Sequence, residues 1–167
     1  VLLAVIDRAA GRLTYTQIVE SHKPVRYTVP VGTTRPLFAT SAGRVLLAFQ
    51  EDAWRRDYLK TADLRALTDR TVTDRRQLAR ILDRVRAAGF ASTIGEVTPD
   101  VAGFAAPIFE PGDRVNTALI VAAPIERGRA AAERLTRITI DTAGLLSQAL
   151  GHRAAQAPSL PQRNGKT

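Results

Sequence analysis

Pairs of β-rich runs lie toward the two ends of this chain, and helical patterns fill the middle. Val1–Ile6 and Leu13–Val19 are separated by Asp7-Arg8-Ala9-Ala10-Gly11-Arg12, a connection that suits a hairpin with Gly11 at a positive-φ turn position. Phe90–Ile94, Phe104–Phe109 and Val115–Ala122 read as three further strands, the last two joined by the turn residues Glu110-Pro111-Gly112-Asp113, with Pro124 stopping the sheet. Arg26–Val29 reads as another short strand, ended by Pro30 and Gly32. Sequential hairpins pair antiparallel, so the expected class is α+β, a largely antiparallel sheet flanked by helices.

The helices are marked by apolar spacing and by their ends. Thr40 or Ser41 can cap a helix that places Val45, Leu46 and Phe49 on one side, and Glu51–Leu59 reads as a second, shorter one. After Asp74, Leu78, Ile81, Leu82 and Val85 recur at 3,4 spacing with arginines opposite, and Gly89 ends the pattern. A final helix is expected from about Gly128 to Gly151, its stripe of Leu135, Ile138, Thr142, Leu145 and Ala149 covering the sheet.

Composition removes several function classes. The 167 residues contain no cysteine, which excludes disulfides, thiolate metal sites and cysteine nucleophiles, and makes the cytoplasm the expected compartment. The longest apolar run, Ala118–Ile125, falls far short of the ~20 residues needed to cross a bilayer, so no membrane association is expected. With 45% hydrophobic residues the chain can bury a core. The net charge of +8 is less telling, because arginines alternate with acids along the middle of the chain and read as solvated surface rather than a nucleic-acid footprint. Residues 153–167 hold Arg153, Arg163 and Lys166, no acid and one large aliphatic residue, and are expected to be a disordered tail. There is no methionine, and Val1–Ile6 reads as a buried strand rather than a leader, so the chain is expected to begin inside a longer protein.

Catalytic equipment is sparse. His22 lies in the polar loop Glu20-Ser21-His22-Lys23-Pro24 and reads as solvated, while His152 is placed at a frayed helix end. Two histidines without cysteines make a poor metal site, and no nucleophile elbow or dinucleotide-binding glycine turn occurs. No catalytic residue, metal or cofactor is expected. Small residues are the informative feature instead. Ala105, Ala106, Ala118 and Ala122 leave space above the sheet, and Ser41-Ala42-Gly43 open a helix whose free amides and dipole can hold a carboxylate. Periodicity alone does not choose between a concave site for a small organic acid and close helix-on-sheet packing.

At these residues the sequence resembles the effector-binding domain of the IclR family of bacterial transcription regulators. Four stretches carry the resemblance: Val31-Gly32-Thr33-Thr34-Arg35-Pro36-Leu37-Phe38-Ala39-Thr40-Ser41-Ala42-Gly43-Arg44; Arg70-Thr71-Val72-Thr73-Asp74; Val85-Arg86-Ala87-Ala88-Gly89-Phe90-Ala91; and Ala105-Ala106-Pro107-Ile108. The resemblance implies a GAF-like (profilin-like) domain over residues 1–152 that binds a small-molecule effector. It further implies a homodimer or tetramer, with DNA read only by an N-terminal winged helix-turn-helix domain that this chain lacks. Matched by motif, the implied ligand-binding residues are Ser41, Ala42 and Gly43 at the helix entrance, Arg35 and Leu37 on its approach, and Tyr27 before it. The strands supply Thr93, Val101, Gly103, Ile120 and Ala122. Family members that bind small polar acids have an acid after the Gly-Phe strand and hydroxyls on the final strand, whereas this chain offers Thr93, Ile120 and Ala122. An unpaired polar ligand group opposite Ile120 would cost ~1 to 3 kcal/mol, so the expected effector is a larger aromatic or aliphatic carboxylic acid. The helices around Val45–Phe49 and Trp54–Leu59 are the implied subunit contacts. A ligand-free dimerisation module, or an enzyme on the same frame, are the competing readings.

Overall fold

The computed structural model describes residues 1–153. Six strands form one sheet: β1 (Leu2–Asp7), β2 (Arg12–Ile18), β3 (Thr34–Pro36), β4 (Ala91–Ile94), β5 (Val101–Ile108) and β6 (Thr117–Pro124). The order is β3-β2-β1-β6-β5-β4, and every neighbouring pair is antiparallel. The first and last strands meet at the centre of the sheet, where Leu2 lies opposite Ile120 and Ala4 opposite Ala118. Gly11 adopts φ +62° in the first hairpin, as its turn requires.

Side-chain alternation sends each strand into two cores. On one face, Leu2, Ala4, Ala105, Ala118 and Ile120 pack with α1 (Ser41–Ala48) and α3 (Arg75–Ala88). On the other, Ala106, Ile108 and Leu119 pack with Ala143 of α5 (Ala132–Ala149). The helix α2 (Asp52–Thr61) lies beside α3 on the first face, and α4 (Ile125–Ala130) precedes α5 on the second. Local signals set the ends of α3: Asp74 accepts a hydrogen bond from the Gln77 amide at 2.6 Å, and Gly89 closes the helix at φ +64°. Of the two candidate caps for α1, Thr40 serves, its hydroxyl accepting from the Gly43 amide at 2.9 Å.

Several expectations are corrected. Arg26–Val29 forms no strand; the edge of β2 is taken by Gly32–Pro36, with Gly32 N–H on Tyr15 O and Tyr15 N–H on Thr33 O. The final helix is broken at Ala131 into α4 and α5. The buried side of α5 is Thr139, Ala143 and Ser147, whereas the expected stripe residues Ile138 and Leu145 are 45% and 65% exposed. Small residues let α5 approach the sheet, and their hydroxyls are satisfied: Thr139 donates to Leu135 O, while Ser147 donates to Ala143 O and accepts from Phe109 N. Val45–Ala48 are fully buried against the sheet and α3, so they present no surface to a partner. His152 is not frayed: its ring stacks on Phe109 and Nε2 lies 2.8 Å from Asp113 Oδ1. The expected disordered tail, residues 153–167, lies outside the described residues except for Arg153.

Candidate functional site

The Leu37–Ala39 turn drops the chain from β3 into α1, and Gly43 is there because a Cβ would overlap the Leu37 carbonyl. This tight junction brings the N-terminus of α1 over the middle of the sheet. Directly opposite, β5 presents Gly103, where an added Cβ would lie 2.8 Å from Ser41 Oγ and 3.2 Å from Thr93 Oγ1. The missing side chain admits these two hydroxyls, and Gly103 lines with them a hollow between α1 and the sheet that has a free volume of about 40 Å³.

Eight residues named from the sequence line this hollow: Tyr27, Arg35, Ser41, Thr93, Val101, Gly103, Ile120 and Ala122. Leu37, Ala42 and Gly43 do not line it; Leu37 and Ala42 are core residues beneath the junction, and the Gly43 amide is committed to its cap. Sequence reasoning missed Leu2, Tyr15, Thr40, Glu96, Val97 and Thr98. Leu2 could have been found only from its pairing opposite Ile120, a register the sequence does not spell out. Glu96 had a legible signal, an isolated acid soon after the Gly-Phe strand.

Glu96 changes the electrostatics from those expected. Arg44, on α1, forms a bidentate pair with it: Nη1 donates to Oε1 at 2.9 Å, Nη2 donates to Oε2, and Nε donates to Phe38 O at 2.9 Å. The side chains are 3% and 12% exposed. The segment carrying Glu96 is also held by Thr68 Oγ1 on Gly95 O at 2.7 Å and Thr71 Oγ1 on Glu96 O at 2.6 Å, so it roofs the hollow as a pinned strap. With Glu96 neutralised, Arg35 is the uncompensated charge at the wall, and its buried Nε has no hydrogen-bond partner among the described residues. An unsatisfied buried donor on a cation favours an anion. Burial pushes the Tyr15 phenol up to about 12, with Tyr27 raising it further and Arg35 opposing, so Tyr15 stays a neutral hydroxyl at ordinary pH.

Among the described residues no cluster of three or more His, Asp or Glu is placed to hold a metal, and no helix is long and apolar enough to cross a membrane. The hollow therefore offers binding groups, a guanidinium and several hydroxyls, on a largely apolar floor.

Residues 2–148 match the family described as bacterial transcriptional regulator IclR, C-terminal. The Pca regulon regulatory protein of Pseudomonas putida is 37% identical over 97 residues, covering 58% of this chain and 33% of that protein. The glycerol operon regulatory protein of Streptomyces griseus is 34% identical over 130 residues, covering 75% of this chain and 50% of that protein. The crystal structure of an IclR homolog from Microbacterium hydrocarbonoxydans complexed with 4-hydroxybenzoate superposes with a TM-score of 0.80 at 27% identity, covering 90% of this chain and 60% of that one. The chain thus spans about a third to a half of the length of these curated relatives.

Proposed function

The chain belongs to the IclR family of bacterial transcription regulators, in which it is the C-terminal domain, and from that premise we propose that it senses a small organic acid and controls DNA binding by an N-terminal domain. The family and the curated relatives are regulators, not enzymes.

The observation that carries the sensing reading is the Nε of Arg35, unpaired among the described residues, at a hollow whose other charged wall residue, Glu96, is neutralised by Arg44. An incoming carboxylate would give Arg35 the partner it lacks. Ile120, Ala122 and Val101 supply apolar floor for the body of an aromatic or aliphatic acid, and the 4-hydroxybenzoate complex of the Microbacterium homolog supports that class. A hollow of about 40 Å³ is far below the ~300 to 1,000 Å³ of ordinary ligand sites, so binding requires a more open conformer. That requirement is the source of the signal, because a ligand shifts a conformational balance only by its preference for one state. The strap from Gly95 to Asp100 belongs to no strand or helix, and in this reading it is the wall that opens once the Arg44–Glu96 pair and the Thr68 and Thr71 hydrogen bonds that pin it give way. The same reading takes the protein as a cytoplasmic homodimer or tetramer, with the exposed Ile138 and Leu145 of α5 as the apolar surface available for association.

Thermal unfolding with benzoate, 4-hydroxybenzoate and pyruvate tests the proposal. A native-state ligand at a hundred times its Kd adds about 2.7 kcal/mol, which raises Tm by roughly 5 to 10 °C for a domain of this size. Stabilisation by the aromatic acids and not by pyruvate is expected. A stronger effect of pyruvate overturns the effector class, and no effect from any organic acid favours a ligand-free dimerisation module.

A further inference from the structure

A second and much larger concavity adjoins the first. It is a groove of about 730 Å³ between the β1–β2 turn, β3 and α2, and its wall meets that of the inner hollow at Arg35, Val97 and Thr98. Its volume lies within the range of small-molecule sites. Four guanidinium groups line it, those of Arg8, Arg12, Arg35 and Arg65, against the two carboxylates of Asp57 and Asp63. The compensation available to the arginines is slight. Arg8 reaches Glu51 only at 3.8 Å with both side chains well exposed, and Arg12 is held by the neutral Thr34 hydroxyl at 3.3 Å. One side of the groove is aromatic: Trp54 and Tyr58 stack with ring centroids 5.7 Å apart, and the Arg8 guanidinium lies 5.3 Å from the centre of the Trp54 ring. Tyr58 is buried and Trp54 half-buried, so the platform is fixed in place by the core. Gly11 makes the approach possible, because even a Cβ there would press to 3.3 Å from the Tyr58 ring.

We propose that this outer groove is a second binding site, for organic anions with a planar apolar body, distinct from the hollow over the sheet. The apolar body lies against the Trp54–Tyr58 wall and the anionic group meets the surplus of guanidinium charge, a combination that a bare inorganic anion cannot use fully. Arg35 borders both compartments and has one guanidinium to give. An anion that draws it into the groove removes it from the hollow, so occupation of one site changes the affinity of the other, and linkage makes the effect reciprocal.

Trp54 is the only tryptophan in the chain, so its emission reports the groove directly. Titrating the full chain with benzoate is expected to give a saturable change in that emission, and inorganic phosphate at the same concentrations is expected to give none. R8Q and R65Q are each expected to weaken the benzoate response about tenfold, the loss of one charge-assisted contact. G103A, which narrows the hollow and touches no groove residue, is expected to keep the Trp54 response. No saturable response, or one equally strong with phosphate, overturns the proposal, as does a response that survives R8Q and R65Q but disappears in G103A. The outcome is separate from that of the effector reading: thermal stabilisation lost in G103A with the emission response intact supports both sites, and an emission response without any G103A-sensitive stabilisation supports the groove alone.

Discussion

Replacing Glu96 with glutamine tests the most consequential electrostatic feature of the domain. The change keeps the shape of the side chain and removes its charge, leaving Arg44, whose side chain is 3% exposed, facing a neutral amide. Breaking one partner of a buried ion pair costs about 3 to 5 kcal/mol, because the remaining charge stays out of water. At roughly 2 to 4 °C per kcal/mol for a domain of this size, the melting temperature should fall by about 6 to 20 °C. Glu96 also belongs to the strap over the hollow, so some of the loss should be local opening there, seen as faster hydrogen exchange at Gly95–Val97. The double-mutant cycle isolates the pair: R44M removes the buried cation, and R44M/E96Q should be less destabilised than the sum of the single variants by more than about 1 kcal/mol. Urea unfolding followed by circular dichroism measures all four proteins. If E96Q lies within about 1 kcal/mol of the wild type, or if the two single changes simply add, the pair does not hold the strap and the argument for a pinned roof fails.

Three further outcomes are expected. G103A places a methyl group 2.8 Å from Ser41 Oγ; it should fold with a loss of about 1 to 3 kcal/mol from overpacking, and calorimetry should show benzoate affinity in the hollow reduced at least tenfold. G43A has no such latitude, because its new Cβ meets the rigid Leu37 backbone; soluble yield and Tm should both collapse, a loss above about 4 kcal/mol. Burial pushes the Tyr15 and Tyr58 phenols from 10.0 up to about 12, so above pH 10 the unfolded state releases protons that the native state keeps. Stability should be fully present below pH 10 and fall by about 3 kcal/mol per phenol as pH rises toward 12, and Y15F and Y58F should each flatten that decline in alkaline denaturation curves.

What the sequence made legible was whatever depends on neighbours along the chain. The hairpin at Gly11, the cap at Asp74 and the stop at Gly89 are local chemistry, and α3 follows from them with its apolar side correctly assigned. The buried side of α5 was not legible, since apolarity points to Ile138 and Leu145 while close packing selects Thr139, Ala143 and Ser147, the two hydroxyls among them bonding to carbonyls one turn back. β3 was displaced from Arg26–Val29 to Thr34–Pro36 because competition for one strand edge is settled in three dimensions. At the hollow, Arg35, Ser41, Thr93 and Gly103, which the resemblance implied, converge from separate elements. It could not separate two uses of a small residue: at Gly103 the absent side chain admits the Ser41 and Thr93 hydroxyls at the edge of the hollow, and at Gly43 it admits a backbone carbonyl in the core. Glu96 is visible as an acid soon after the Gly-Phe strand, but its neutralisation is not, because that depends on Arg44, fifty-two positions earlier on α1.

The sheet has two free margins, and both are poor templates. β3 is three residues long and ends in Pro36, which has no amide hydrogen to donate, and β4 is four residues long. A neighbouring chain seeking to extend the β-layer finds almost nothing to zip onto, so this domain can sit at high local concentration, as subunits of an assembly do, without seeding fibrillar growth.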